Sequence, residues 1–152
     1  MRLSRLLISF LIVVLLILVE WRFLEPWGVP LQLPLAAILA LSLLIDARSV
    51  VLLSLSSFFL LNWRPGVTPE FAAYLAVPLF LSLFQRFFPL RSTLNAALVG
   101  CAGVLLWYLA ANPSGVFAFP SRIGLEAILC SVVAALVFRF FRWAEQPSLS
   151  RR

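Results

Sequence analysis

The feature that most constrains this chain is a pair of uncharged apolar segments, Phe71 to Phe84 and Leu94 to Ala111, joined by a short basic turn. The turn runs Gln85-Arg86-Phe87-Phe88-Pro89-Leu90-Arg91 and carries two arginines within seven residues. An excess of arginine in a short loop marks the cytoplasmic side of a bilayer. The two segments therefore predict a helical hairpin in a membrane, with its turn on the cytoplasmic side.

Composition supports this assignment for the whole chain. Of the 152 residues, 63% are hydrophobic and the mean hydropathy is +1.07, whereas soluble domains are roughly 45–50% apolar. All basic residues are arginines, and they are set between apolar segments. We therefore attribute the net charge of +6 to orientation of the chain in a membrane, and we expect no nucleic-acid partner. With no histidine and two cysteines, we expect no metal, no cofactor and no enzymatic activity.

Six apolar segments predict a single polytopic membrane domain over residues 1–152, an all-α integral membrane protein with six transmembrane helices arranged as three hairpins. The expected spans are approximately 3–19, 31–45, 49–63, 71–84, 94–111 and 123–141, followed by a polar tail, 142–152. The first is expected to be a retained span, because Glu20-Trp21-Arg22 follows it where a signal peptide would have small residues. Three spans have only about 14–15 apolar residues, against roughly 20 for a full crossing.

The distribution of arginines decides the orientation. With six spans and both termini cytoplasmic, nine arginines lie inside and three outside. If residues 31 to 63 formed one span instead, four arginines would lie inside and seven outside, and Asp46 and Arg48 would be buried in the membrane. The arginines expected to fix the cytoplasmic side are Arg48, Arg86, Arg91, Arg139 and Arg142. We expect multi-pass insertion in a bacterial cytoplasmic (inner) membrane, and whether residues 48–88 and 91–141 are duplicated hairpins stays open.

Small residues recur on the last two spans. Four-residue spacings place small side chains along one stripe of each helix, and helices in lipid associate through such stripes because their backbones can approach closely. We expect the two spans to pack through this face, which also offers a surface for partner proteins. Its predicted members are Ala96, Gly100, Cys101, Gly103, Ala127, Ser131 and Ala135.

Acidic and aromatic residues near the expected membrane surface have two interpretations each. Glu126 lies one turn into the last span with Arg122 four residues earlier, which favours an interfacial ion pair over a proton or cation site. Glu70 is expected to favour the positive end of its helix. An anchoring belt is favoured over a docking surface for a set of interfacial aromatics: Trp21, Trp27, Trp63, Trp107, Tyr108, Phe117 and Phe119.

The layout resembles the rod shape-determining protein MreD family. The similarity lies in the five or six spans, the Pro-containing second span (Leu33-Pro34-Leu35), the basic tail, and the stretch Leu83-Phe84-Gln85-Arg86-Phe87-Phe88-Pro89-Leu90-Arg91-Ser92. The resemblance implies a non-catalytic membrane scaffold of a cell-shape and peptidoglycan-elongation complex. It also implies membrane lipids, an MreC-like single-span protein and the wall-synthesis machinery as partners.

An alternative function is the substrate-binding S-component of an energy-coupling-factor transporter, because the MreD fold is similar to that of S-components. S-components typically carry an Ala-x-x-x-Ala pattern on the first helix, and span one has no alanine. Polar residues are also sparse in the expected outer halves of the spans, which disfavours a pocket for a polar small molecule.

Overall fold

The computed structural model describes residues 2–24, 32–61, 68–84, 92–111 and 113–145, and the prediction of an all-α protein is confirmed: these ranges contain helices and no strand. A π-helical turn, Glu20–Leu24, continues the first helix. The helices are α1 (Arg2–Val19), α2 (Leu33–Ser42), α3 (Ala47–Leu61), α4 (Pro69–Phe84), α5 (Thr93–Ala111), α6 (Pro113–Ala118) and α7 (Pro120–Glu145).

Helix α2 is the centre of the bundle. It contacts α1, α3, α4, α5 and α7, and all ten of its residues are buried. A helix that is apolar on every side needs cover on every side, and the Leu-Pro-Leu-Ala-Ala-Ile-Leu-Ala-Leu-Ser sequence of α2 has no charged residue. At about 1.5 Å per residue α2 is only about 15 Å long, against about 28 Å for α5 and about 39 Å for α7.

Contacts between distant residues show that α5 and α7 run in opposite directions. Gly100 of α5 lies against Ala134 of α7, whereas Tyr108 bonds to Glu126, so α5 and α7 are antiparallel. One end of the bundle, the glutamate end, gathers Glu20, Gln32, Tyr108 and Glu126. At the opposite end, the arginine end, Arg5 of α1 lies beside the α2–α3 turn at Leu44–Ser49.

The outward faces of the surrounding helices are apolar. Leucine side chains on α1 at positions 7, 11, 15 and 18 are each at least 58% exposed, and large hydrophobic residues are also exposed along α3, α4, α5 and α7. Within the described ranges, two helices are long and apolar enough to cross a membrane, Thr93–Ala111 and Pro120–Ala144, while α2, α3 and α4 are shorter apolar helices. These two candidate spans suggest that the protein associates with a membrane.

Candidate functional site: the carboxylate cap of the central helix

Two carboxylates from other parts of the chain meet the buried N-terminus of α2. Glu126 Oε1 accepts the Gln32 N–H at 3.1 Å, and Glu20 Oε2 accepts the Leu33 N–H at 3.2 Å. The first amides of a helix have no partner within it, and Pro34 at the next position carries no N–H to satisfy. We call these groups, together with Tyr108, the α2 cap.

Tyr108 completes the α2 cap from α5. Its hydroxyl donates to Glu126 Oε2 at 2.5 Å, so both oxygens of this carboxylate have a donor. The side chain of Glu126 is only 4% exposed. A buried carboxylate is tolerated where hydrogen bonds and a positive helix end offset its lost hydration. The α2 cap therefore joins the π-helical turn, α2, α5 and α7 at one point.

The structure changes the interpretation of the predicted Arg122–Glu126 pair. Arg122 is exposed and lies one turn before Glu126 on α7. The carboxylate itself is buried and bonded to Tyr108 and Gln32, not placed at a hydrated edge. The physical reason is that the first N–H groups of α2 have no partner within their own helix, so an inward acid that accepts them is more stabilising than an outward one.

The predicted small-residue face lies mostly within the bundle. Helices α5 and α7 form the most extensive helix pair, and a Cβ atom at Gly100 would lie 2.6 Å from Ala134 Cβ and 3.3 Å from the Cys130 carbonyl oxygen. A Cβ at Gly103 would lie 2.5 Å from Leu39 Cδ1 of α2. Glycine is required at both positions because the neighbouring helix occupies the space of a side chain.

The register of this face on α7 differs from the predicted one. Ala127 is buried as expected, but Ser131 and Ala135 are half-buried, and the fully buried small residues are Cys130 and Ala134. Successive residues of a helix are rotated by about 100° around its axis, so residues four apart differ in direction by about 40°. A predicted face built only from steps of four therefore rotates around the helix. Alternating a step of three with a step of four, as in Ala127, Cys130 and Ala134, nearly returns to the same side. On α5, Ala96, Gly100 and Gly103 are buried and Cys101 is half-buried; both thiols are free.

The arginines predicted to fix the cytoplasmic side are exposed where the structure describes them. Arg48 lies at the arginine end, and Arg139 and Arg142 lie near the C-terminus of α7. The Arg142 guanidinium lies 5.9 Å from the centre of the Phe138 ring. Arg86 and Arg91 lie outside the described residues.

Other polar groups within the bundle are bonded locally or lack a partner. Hydroxyl groups of Ser42, Ser57 and Ser82 donate to carbonyl oxygens three or four residues earlier, as expected for serine in an apolar helix. Four buried polar atoms have no hydrogen-bond partner among the described residues: Ser9 Oγ, Ser54 Oγ, Tyr74 Oη and Trp107 Nε1. In the same part of the chain no group of three or more His, Cys, Asp or Glu residues could hold a metal ion.

The predicted aromatic belt is divided between two environments. Trp21, Phe117 and Phe119 are exposed at or near the glutamate end, Phe117 by 82%. Trp107 and Tyr108 are half-buried and their rings pack edge to face, 4.9 Å apart. Trp27 and Trp63 lie outside the described residues.

Sequence reasoning did not connect Glu20, Gln32 and Tyr108 with Glu126. Gln32 and Glu126 are 94 positions apart, and the hydrophobic pattern of either segment does not indicate the contact. A signal was present, however: an all-apolar segment beginning with Leu-Pro has an N-terminus that needs acceptors. Glu20 and Glu126 each lie at the end of an uncharged stretch and could supply them.

The chain was compared with protein-family models, with curated proteins and with solved structures, and none of the three comparisons finds a match.

Proposed function

We propose that this chain is a six-span protein of the bacterial cytoplasmic membrane that acts as a non-catalytic scaffold in a cell-envelope complex. The observation that carries this proposal is the apolar exterior around a wholly buried central helix. A protein in water covers its outer helix faces with polar residues, whereas lipid favours leucine and phenylalanine there. Within the described residues, α1, α3, α4, α5 and α7 all present such faces.

The orientation is supported by the two ends of the bundle. Arg5 and Arg48 share the arginine end, and Arg139 follows Glu126 by thirteen residues, about 20 Å further along α7 toward that end. A six-span topology with both termini on the arginine side agrees with these positions, and the positive-inside rule makes that side the cytoplasmic one. In this proposal α2 is the second of the six spans, and because it is short and wholly buried it is covered by the other helices instead of by lipid.

Among the described residues, the hydrogen bonds that the acidic groups make favour a scaffold over a transporter S-component. A site for a polar small molecule needs polar groups that converge on the ligand. At the glutamate end, Glu20 and Glu126 instead bond to backbone amides of α2, and Tyr108 bonds to Glu126. These groups stabilise the fold. The lipid-exposed helix faces are then the surface for membrane partners, as the resemblance to the MreD family implies.

The proposal can be tested by copurification from a mild detergent, with quantitative mass spectrometry of the bound proteins. A tagged, unrelated six-span protein of similar size, expressed at the same level, is the control. We expect a single-span MreC-like protein and wall-synthesis proteins to be enriched over that control. Recovery of a pair of nucleotide-binding subunits with a bound small molecule would contradict the scaffold and favour the S-component.

A further inference from the structure

We propose that the arginine end contains a binding site for the phosphate of an anionic phospholipid. A cavity of about 530 Å³ lies between the first turns of α1 and the turn that joins α2 to α3. Ligand pockets are commonly about 300–1,000 Å³. The cavity is therefore large enough for the glycerophosphate part of a lipid. This inference rests on the membrane placement proposed above.

Two guanidinium groups from different helices line the cavity. Arg5 lies in the first turns of α1 and Arg48 at the start of α3, and both side chains are exposed. Arginine presents several N–H donors in a planar arrangement that matches phosphate oxygens. Basic pockets between helices on the cytoplasmic side of a membrane bind anionic lipid head groups. The chemistry of the lining thus selects an anion with several oxygens.

The acidic residue in the cavity is hydrogen-bonded at the start of α3. Asp46 precedes α3, its Oδ1 accepts the Ser49 hydroxyl at 3.0 Å, and its carbonyl oxygen accepts the Val50 N–H at 3.1 Å. The carbonyl bond is the first hydrogen bond of α3, as expected for the residue that precedes a helix. With Asp46 included, the described lining keeps one net positive charge. The start of α3 in the same lining adds the positive end of its helix dipole.

The rest of the lining fits a lipid better than a free phosphate ion. Leu6, Leu44 and Ile45 contribute half-buried apolar side chains beside the arginines. A phosphate ion gains nothing from apolar contact, whereas the glycerol backbone and the first methylene groups of a lipid do. The cavity therefore combines a charged part for the phosphate with an apolar part for the acyl esters.

The test uses the full-length, delipidated protein in a neutral detergent and native mass spectrometry. Phosphatidylglycerol is titrated against the wild type, with phosphatidylethanolamine and inorganic phosphate as separate arms. Each arginine near the surface contributes about fivefold to binding an anionic lipid. We therefore expect Arg5→Gln/Arg48→Gln to weaken phosphatidylglycerol binding about 25-fold. Arg5→Lys/Arg48→Lys should retain most of the binding, which separates loss of charge from loss of fold.

The matched control is Arg139→Gln/Arg142→Gln, which removes the same charge from exposed positions near the C-terminus of α7. This control should bind phosphatidylglycerol within about twofold of wild type. Equal loss in both double variants, or inorganic phosphate binding as tight as lipid binding, would overturn the proposal. Failure of the membrane placement would look different, because the protein would then be recovered without membranes or detergent.

Discussion

Adding one methyl group at Gly100 should destabilise the bundle, although alanine is the better helix former. The Cβ of Gly100→Ala would lie 2.6 Å from Ala134 Cβ, about 1 Å closer than carbon atoms favour. The Cys130 carbonyl oxygen and Ser131 Cα, at 3.3 Å each, lie on the same side. These atoms are fixed to the backbone of α7, so the strain is relieved only by separating α5 from α7.

The magnitude follows from two opposing effects. An extra methyl group in a packed core costs about 1–3 kcal/mol, and alanine gains about 1 kcal/mol over glycine within a helix. Because no flexible side chain can move aside, we expect the upper part of the first range. The net loss in the free energy of unfolding should be about 1–2 kcal/mol.

Two further variants make this test specific. Gly124 of α7 is the matched control, because a Cβ there would meet nothing within 4 Å, so Gly124→Ala should gain about 1 kcal/mol. The double variant Gly100→Ala/Ala134→Gly moves the methyl group to the other helix and should be more stable than the sum of its single changes by about 1 kcal/mol or more. The assay is unfolding in mixed micelles with increasing dodecyl sulfate, followed by tryptophan fluorescence. A Gly100→Ala protein as stable as wild type, or no coupling in the double variant, would refute the reasoning.

Three other predictions concern the cap, the register and pH. Glu126→Ala leaves two donors unpaired and should lower the free energy of unfolding by about 2–4 kcal/mol, with Tyr108→Phe costing less, about 1 kcal/mol, in the same micelle assay. Ala134 is buried and Ala135 half-buried, so Ala134→Leu should prevent recovery of folded protein whereas Ala135→Leu should be tolerated. Equal yields of folded protein from the two variants in size-exclusion chromatography would contradict the observed register. Outside the expected span, the pKa of Glu70 is lowered by hydrogen bonds from its own backbone amide and from the Thr68 hydroxyl. The stabilisation of the folded state by ionised Glu70 is therefore present above the ordinary pKa of 4.5 and lost as pH falls through the lowered value. Glu70→Gln should make the free energy of unfolding less pH-dependent below pH 4.5. An unchanged dependence of that free energy on pH would contradict this.

Helices could be predicted because apolar segments here are separated by arginine, proline and glycine. Which side of each helix faces the bundle could not be predicted, because a helix such as α2 is apolar on all sides and gives no amphipathic signal. Small residues showed that the last two spans should pack, but the choice between Ser131 and Cys130 depends on how α5 and α7 wind around each other. The π-helical turn at Glu20–Leu24 and the short α6 were not predicted from the sequence.

The α2 cap depends on information that no local pattern contains. Glu126 was predicted to lie at a hydrated surface because Arg122 is its neighbour on the helix. Which way the acid points is decided instead by the unpaired amides of a helix 94 positions earlier in the chain. Sequence reasoning identified an important carboxylate but could not identify its partners.

The most direct test of the membrane placement is labelling of introduced cysteines in intact cells with a membrane-impermeant maleimide, in a background with Cys101 and Cys130 replaced by alanine. A six-span orientation predicts that Thr68→Cys and Ser114→Cys, at exposed positions of the glutamate end, react from outside. Phe88→Cys and the exposed Ala144→Cys should react only after the cells are broken. Labelling of position 88 in intact cells would contradict the proposed orientation.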